Sequence, residues 1–518
     1  MTKNFFVTSP IYYVNDIPHI GHAYTSLACD ILARSKRLEG YNVHFLTGTD
    51  EHGQKVEKSA LSRNKTPGQF CDEISAKFRE MADFMNISYD DFIRTTEERH
   101  KKVAQKFWQL LEENGWIYKG IYEGWYAVRD EAFYAEDELI NGKAPTGADV
   151  TWHKEESYFF KLSAFSEKLL TLYDAAPDFI EPISRRNEVI SFVKSGLKDL
   201  SISRNSFSWG VPIPGNEKHV MYVWLDALTN YISALNFNSN DDGLYQDFWV
   251  HAEHSPIHIV GKDILRFHTV YWPAFLMAAK ISIPNRVFAH GWWTNEGQKI
   301  SKSLGNVIDP HKEIEWLTNL QISEETAIDY FRYFLMKEVP FGSDGDYSRN
   351  NLINRVNAEL ANNIGNLIQR SLSMIFKNCD SKIPQTDLAK KNNFEANYQN
   401  FQKLLNILSF DKALNEIIEI GNIANKNFND AAPWNLKKEN KITEMNQALY
   451  EAAEASRILG ILLLPFIPKS AGKILDLLNI DESERNFANL QNYLKSGHKI
   501  NEPKAIFPRL SIVESTQN

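Results

Sequence analysis

The sequence predicts an α/β protein: a parallel-sheet domain interrupted by an inserted domain and followed by an all-α helical bundle. Three observations carry this. Strand-like and helix-like segments alternate over the first sixty residues. The stretch from about Gly115 to Met221 breaks that rhythm with short, aromatic-rich strand runs. From about Asn350 onward the apolar spacing is helical, with no strand pattern.

Phe5-Phe6-Val7-Thr8 reads as a first strand. A loop with Pro10 and Pro18 follows, then a helix from about His22 to Glu39, apolar at Ala23, Leu27, Cys29, Ile31, Leu32 and Leu38, with Gly40 as its stop. Val43-His44-Phe45-Leu46-Thr47 is the second strand. Two strands joined by a helical crossover run parallel, and ligands of such sheets bind at the carboxyl ends of the strands. Pro10–His22 and Gly48–Gly53 sit at two such ends. The aromatic stretch, with turns at Asn141-Gly142 and Pro145-Thr146-Gly147, reads as an insertion between two halves of the sheet domain. The sheet pattern is expected to return at Tyr222-Val223-Trp224. It continues with Ile257–Val260, a helix over Ile264–Ala279 and a strand at Arg286–His290. The expected divisions are residues 1–114, 115–221, 222–280, 281–349 and 350–518.

Composition sets the class. Of 518 residues, 43% are apolar and 24% charged, which excludes a disordered tail, a collagen-like fibre or a small disulfide scaffold. The net charge is −9, but unevenly spread. Residues 351–518 hold 20 basic and 18 acidic side chains, and residues 1–350 the other 37 and 48. Any contact with nucleic acid must therefore come from local patches. Cys29, Cys71 and Cys379 form no C-x-x-C pair, so no thiolate zinc knuckle is encoded. No signal-peptide stretch opens the chain, and the longest apolar run, Ile458–Pro468, is eleven residues with two prolines. The expectation is a soluble, cytoplasmic protein without a membrane partner.

Two short motifs suggest chemistry. His19-Ile20-Gly21-His22 lies at the turn into the first helix. Two imidazoles three residues apart at a positive helix end, with Gly21 between them, suit a phosphate chain. Standing alone, the pair reads equally well as a helix cap. Lys299-Ile300-Ser301-Lys302-Ser303 lies between Gly297 and Gly305. Its two lysines place two ammonium groups on one side of a turn, though in isolation it would pass for a solvated basic loop.

Taken together, in this order and context, the motifs resemble the HIGH and KMSKS signatures of class I aminoacyl-tRNA synthetases. The second differs only by Ile300 for methionine. Pro10-Ile11-Tyr12-Tyr13-Val14-Asn15, Gly48-Thr49-Asp50-Glu51-His52-Gly53, Tyr222-Val223-Trp224-Leu225-Asp226-Ala227, Gly261-Lys262-Asp263 and Phe267-His268 narrow this. They are similar to methionyl-tRNA synthetases, in the form lacking the cysteine zinc knuckle. The resemblance runs from about Phe5 to Arg509. It implies a Rossmann-type catalytic domain, an inserted connective domain facing the tRNA acceptor end, a stem-contact region bearing the lysine loop, and a helical anticodon-binding bundle.

The resemblance also implies the chemistry. Methionine is activated by ATP to methionyl-adenylate and passed to tRNA, initiator and elongator alike, with Mg2+ carried on the nucleotide. His19 and His22, with Lys299 and Lys302, are the catalytic groups. ATP is bound by His19, Gly21, His22, Gly261, Asp263, His290, Trp292 and Lys302. Methionine is bound by Ile11, Tyr13, Asp50, Trp224, Ala227, Leu228, Tyr231 and His268, with Asp50 taking the ammonium. Trp224, Ala227, Leu228 and Tyr231 fall on one helical face, a pattern that on its own usually means core packing. Asp263 is also placed to cap a helix. In the back half, Asn362, Asn366 and Arg370 form a polar stripe opposite the apolar one. The resemblance makes that stripe, with Trp434, the anticodon-binding face.

The pattern departs from many relatives in having no cysteine between Gly120 and Ala148, so no zinc is expected; a mixed site using His153 is the alternative. The chain stops soon after Arg509, and a monomer is expected. The rival readings are another class I synthetase and a catalytically silent tRNA-binding paralogue.

Overall fold

Short apolar runs buried on both faces build the first layer, as a parallel sheet requires. Phe5, Phe6 and Val7 in the strand Asn4–Thr8 are buried, as are Phe45 and Leu46 in Asn42–Asp50, and Ile259 and Val260 in Ile257–Gly261. The computed structural model describes residues 3–15, 17–129, 132–134, 136–299, 306–386 and 394–511. In it these strands join a seven-stranded sheet. The order is Tyr12–Tyr13, Asn42–Asp50, Asn4–Thr8, Ile257–Gly261, Arg286–His290, Ile180–Glu181, with Asp91–Arg94 also paired to Asn42–Asp50. Every pairing is parallel. Asn4–Thr8 and Tyr12–Tyr13 pair with successive stretches of the same strand: Thr8 lies opposite Leu46, and Tyr13 opposite Asp50.

Between Asp91–Arg94 and Ile257–Gly261 the chain gives only Ile180–Glu181 to this sheet and otherwise forms two antiparallel sheets among the described residues. One is ordered Ala132–Tyr134, Ile117–Ala127, Thr151–Phe160, Leu200–Ser201, and the other Ser203–Arg204, Asn216–Met221, Pro212–Ile213. The sheet pattern read at Tyr222–Trp224 is corrected here. The last strand ends at Met221, and the helix Val223–Leu228 begins at once. Tyr222 still donates its N–H to Ile202 O, but its own carbonyl takes the amides of Leu225 and Asp226 and starts the helical turn. Local strand propensity gives way to this bonding. The segment read as one helix over Ile264–Ala279 is composite. A 3₁₀ turn at Lys262–Ile264 and a π turn at Phe267–Tyr271 precede the α-helix Trp272–Ala279.

By internal packing the chain divides into two compact units: Met1–Pro18 with Asn42–His290, and His19–Tyr41 with Gly291–Asn518. The crossover helix Ile20–Leu38 thus groups with the C-terminal unit, and side chains explain why. Its Asp30 accepts from Arg332 at 2.7 Å with both side chains fully buried. Lys36 donates to Asn406 at 2.8 Å, and Tyr24 packs edge-on against Trp293. The helix ends at Leu38, and Gly40 follows with φ of 89°, the left-handed position glycine tolerates.

The rest of the second unit carries a small sheet of Gln298–Lys299, Trp293–Asn295 and Gly345–Tyr347. Helices follow: Arg349–Arg355, a π segment Val356–Gly365, Asn366–Asn378, Glu395–Asn406, Phe410–Ala431, Pro433–Lys438, Ile442–Leu463 and Pro468–Leu477. Among the described residues, no helix is long and apolar enough to cross a membrane.

Candidate functional site

The wall helices of the first unit place Trp224, Ala227, Leu228 and Tyr231 within Val223–Leu228 and Asn230–Ser233. Ala227, Leu228 and Tyr231 are buried, and Trp224 is half-buried. Trp224 stacks on Phe267, ring centroids 3.6 Å apart and nearly coplanar at 8°, with the His268 ring edge-on to it at 6.3 Å. The Tyr231 hydroxyl lies 2.7 Å from His268 Nε2, and His268 Nδ1 lies 3.0 Å from the Ile264 carbonyl. A carbonyl only accepts, so Nδ1 carries the proton and Nε2 accepts from Tyr231. Burial agrees: it lowers the His268 pKa from 6.5 to about 4, keeping the ring neutral. Ile11 and Tyr13 are partly buried against the same apolar cluster as Leu228 and Tyr231. The expected methionine residues thus all lie in one unit, with the neutral, hydrogen-bonded His268 beside the stacked aromatic rings.

Asp50, the proposed ammonium acceptor, is buried at the carboxyl end of its strand, and its carbonyl accepts from Val14 N at 3.2 Å. The turn after it is tied down closely. Glu51 is fully buried and paired through both oxygens with Arg94 at 2.7 and 3.1 Å. It also accepts from Thr49 and Thr96. Trp209 Nε1 donates to the Glu51 carbonyl at 2.6 Å.

Gly261, Asp263 and His290 meet at the ends of two adjacent strands, where Gly261 lies opposite His290. A Cβ on Gly261 would stand 2.5 Å from Asp263 Oδ1, so only glycine allows the carboxylate to fold back there. Asp263 lies inside the 3₁₀ turn, whose N-cap is Gly261 and which has no side-chain cap bond.

In the second unit, His19 is the N-cap of Ile20–Leu38. Its Nδ1 accepts from Gly21 N at 3.1 Å, while His22 Nδ1 accepts from His19 N at 3.1 Å. This is a capping box built from two imidazoles, their centroids 3.9 Å apart. It starts the helix at Ile20, two residues earlier than the spacing suggests. With Nδ1 accepting, each neutral ring carries its proton on Nε2. Burial and the neighbouring His19 hold His22 well below its usual pKa. A Cβ on Gly21 would stand 3.0 Å from the His19 ring, so the glycine makes room for that cap. Capping uses Nδ1 of each ring, so a role of Nε2–H toward a ligand would be compatible with it. Trp292 is exposed and donates its backbone N–H to Asp344 at 2.8 Å. Lys299 closes a short strand, and Lys302 lies outside the described residues.

On the helical bundle, Asn362 and Asn366 are exposed. The Arg370 guanidinium lies 4.9 Å from the Trp434 ring centroid and donates to Asn429 Oδ1 at 2.9 Å. Phe428 packs edge-on to Trp434 at 6.0 Å. Arg370 and Trp434, 64 positions apart in the sequence, form one ledge. No group of three or more His, Cys, Asp or Glu able to hold a metal occurs among the described residues.

Sequence reasoning missed several buried polar residues. Arg204 lies with its guanidinium 4.6 Å from the Tyr222 ring centre. Asp226, wholly buried, lies between His52 and His100. Both features join segments far apart in the chain, and no local pattern announces them.

Known proteins resemble this chain over nearly its whole length. Residues 5–151 and 138–372 match the family described as tRNA synthetases class I (M), and residues 380–517 match the anticodon binding domain of methionyl tRNA ligase. A methionine--tRNA ligase of Rickettsia conorii is 55% identical over 98% of this chain and 100% of its own length. One from Brucella suis is 49% identical, over 98% of both chains. The Mycobacterium tuberculosis methionyl-tRNA synthetase solved in complex with methionyl-adenylate superposes with a TM-score of 0.92 at 44% identity. That match covers 98% of this chain and 100% of the other.

Proposed function

Since the chain belongs to the methionyl-tRNA synthetase family, we propose that it ligates L-methionine to its tRNA through methionyl-adenylate, using ATP and releasing pyrophosphate and then AMP. The observation that carries this reading is the packing of the expected methionine residues. The stacked Trp224 and Phe267 and the hydrogen-bonded Tyr231 and neutral His268 are grouped in one unit with the buried Asp50. Polarisable thioether sulfur packs well against ring edges, and a neutral imidazole places no charge beside it.

The roles follow from chemistry. Asp50 accepts the substrate ammonium, leaving the carboxylate to attack the α-phosphate as pyrophosphate departs. A ribose hydroxyl of the tRNA terminus then takes the methionyl group and AMP leaves. Neither step needs a covalent enzyme intermediate, so rate comes from alignment and from charge stabilisation on the phosphates. The Nε2–H edges of His19 and His22 supply neutral donors there. Lys302, with Lys299, supplies positive charge. Asp263 takes the ribose hydroxyls, His290 and Trp292 the adenine side, and Gly21 and Gly261 give the backbone room. Magnesium arrives as part of the nucleotide. Arg370 and Trp434, with Asn362 and Asn366, read unpaired anticodon bases by stacking and hydrogen bonding. We further propose the divisions 1–114, 115–221, 222–280, 281–349 and 350–518 as working domains. The protein is proposed to be a zinc-free cytoplasmic monomer serving initiator and elongator tRNA.

Amino-acid-dependent ATP–pyrophosphate exchange across the twenty amino acids tests the reading. Methionine alone should support rapid exchange. Exchange driven best by another amino acid, or none at all, would overturn it.

A further inference from the structure

Asp226 lies in the wall helix Val223–Leu228, off the face that carries Trp224, Ala227 and Leu228. It stands two residues after Trp224, about 200° around the helix. It is fully buried, and both oxygens are used. Oδ2 lies 2.7 Å from His52 Nδ1, and Oδ1 lies 2.7 Å from His100 Nε2. The other nitrogen of His100 lies 2.8 Å from Ser233 Oγ, on the helix that carries Tyr231. His52 follows Asp50 by two residues, in the turn already fastened through Glu51, Arg94, Thr96 and Trp209. One carboxylate therefore links three separate pieces: the ammonium-side turn, the aromatic wall, and the helix Glu98–Glu113 that bears His100.

We propose that Asp226, with His52 and His100, is a positioning group that fixes the spacing between Asp50 and the Trp224–Tyr231 wall, and so sets the length of amino-acid side chain the pocket accepts. The inference rests on the methionine reading and deepens it. The ammonium and the thioether are opposite ends of one small molecule, so the gap between their two holders acts as a ruler. Stability alone is a poor explanation for this cluster. A buried ion network is often no more stable than well-packed apolar residues, whereas a bonded carboxylate at a fixed register holds two elements at one distance. Burial alone would raise the Asp226 pKa, but the two imidazoles outweigh it and hold the carboxyl at about 2. The group thus stays an acceptor for both rings across the working pH range.

The test is pyrophosphate exchange by the full chain. It is measured with methionine, with homocysteine (one methyl shorter) and with ethionine (one methylene longer). Asp226→Asn and His52→Ala should raise the methionine KM about tenfold while the ATP KM stays within about twofold. The preference for methionine over the two analogues, on the order of tenfold or more for one carbon in an apolar pocket, should fall at least threefold. His52→Asn, which keeps a nitrogen donor near the Nδ1 position, should restore the preference. The preference is a ratio and does not depend on the fraction of folded enzyme. A loss of kcat with unchanged KM values and an unchanged ratio would therefore mark a purely structural role and overturn the inference. Unaltered kinetics would do the same. If Asp226→Asn fails to fold, the His52 pair decides. Absence of methionine-dependent exchange in the unsubstituted protein would sink the activity reading and this inference with it. Normal exchange with an unmoved ratio would sink the inference alone.

Discussion

The two proposed recognition surfaces, the Trp224–Tyr231 wall and the Arg370–Trp434 ledge, are built by opposite means. Around Tyr231 and His268 nearly everything is buried, and the polar atoms bond to one another. Around Trp434 the ring is only partly covered, Arg370 is braced by Asn429, and Asn362 and Asn366 face outward. A dry wall discriminates by volume and punishes a missing bond. An open ledge offers a π-face and adaptable amide edges, which suit flat bases whose own polar groups stay half-hydrated. On the proposed reading, the difference teaches that one chain would meet a small apolar side chain with finished surfaces and unpaired nucleotides with unfinished ones.

The largest expected effect ignores the division. Lys302→Ala should weaken activation by about 3 kcal/mol, over a hundredfold in rate, while methionine affinity changes little. Exchange and aminoacylation should fall together, and a near-normal exchange rate would refute the role. Of similar size is an acid sensitivity that belongs to the wall. Burial holds His268 at about 4 in the folded protein against 6.5 ordinarily. As the pH falls, the unfolded chain takes up its proton first. Stability from this group is complete above about 6.5 and drains between there and about 4, amounting to about 3 kcal/mol. Buried His258 shifts in the same direction. Thermal melts between those limits should show the first unit weakening, less so in His268→Gln.

The third test separates the two regions. Trp434→Ala should cut aminoacylation by about 2 kcal/mol, the scale of one stacked base, and leave exchange nearly intact. Loss of both activities would make Trp434 a core residue. The smallest effect comes from Tyr231→Phe. It removes one hydrogen bond from a buried imidazole and should raise the methionine KM by about 1 kcal/mol equivalent, roughly fivefold. Aminoacylation should fall only in proportion to exchange.

What the sequence revealed followed the range of its interactions. Phe5–Thr8, Val43–Thr47 and Ile257–Val260 declare themselves because a buried parallel strand is a run of apolar residues. The histidine pair was legible because its partners lie within three positions. Tyr222–Trp224 misled, since β-prone side chains there enter a helix started by the Tyr222 carbonyl, which accepts from Leu225 and Asp226. The π turns at Phe267–Tyr271 and Val356–Gly365 leave no periodic trace in so short a span. The Asp226 cluster was unreadable because its partners lie 174 and 126 positions away.

The double imidazole cap has a practical consequence for anyone dissecting this turn. Each ring gives Nδ1 to an amide at the helix start and, on the proposed reading, Nε2–H to the phosphates, so an alanine there removes architecture and chemistry in a single stroke. Asparagine, whose amide oxygen can stand in for Nδ1 but reaches no further, would keep the first turn wound while deleting only the outward hydrogen. At positions 19 and 22, scaffold and reagent are two sides of the same ring and can be severed chemically.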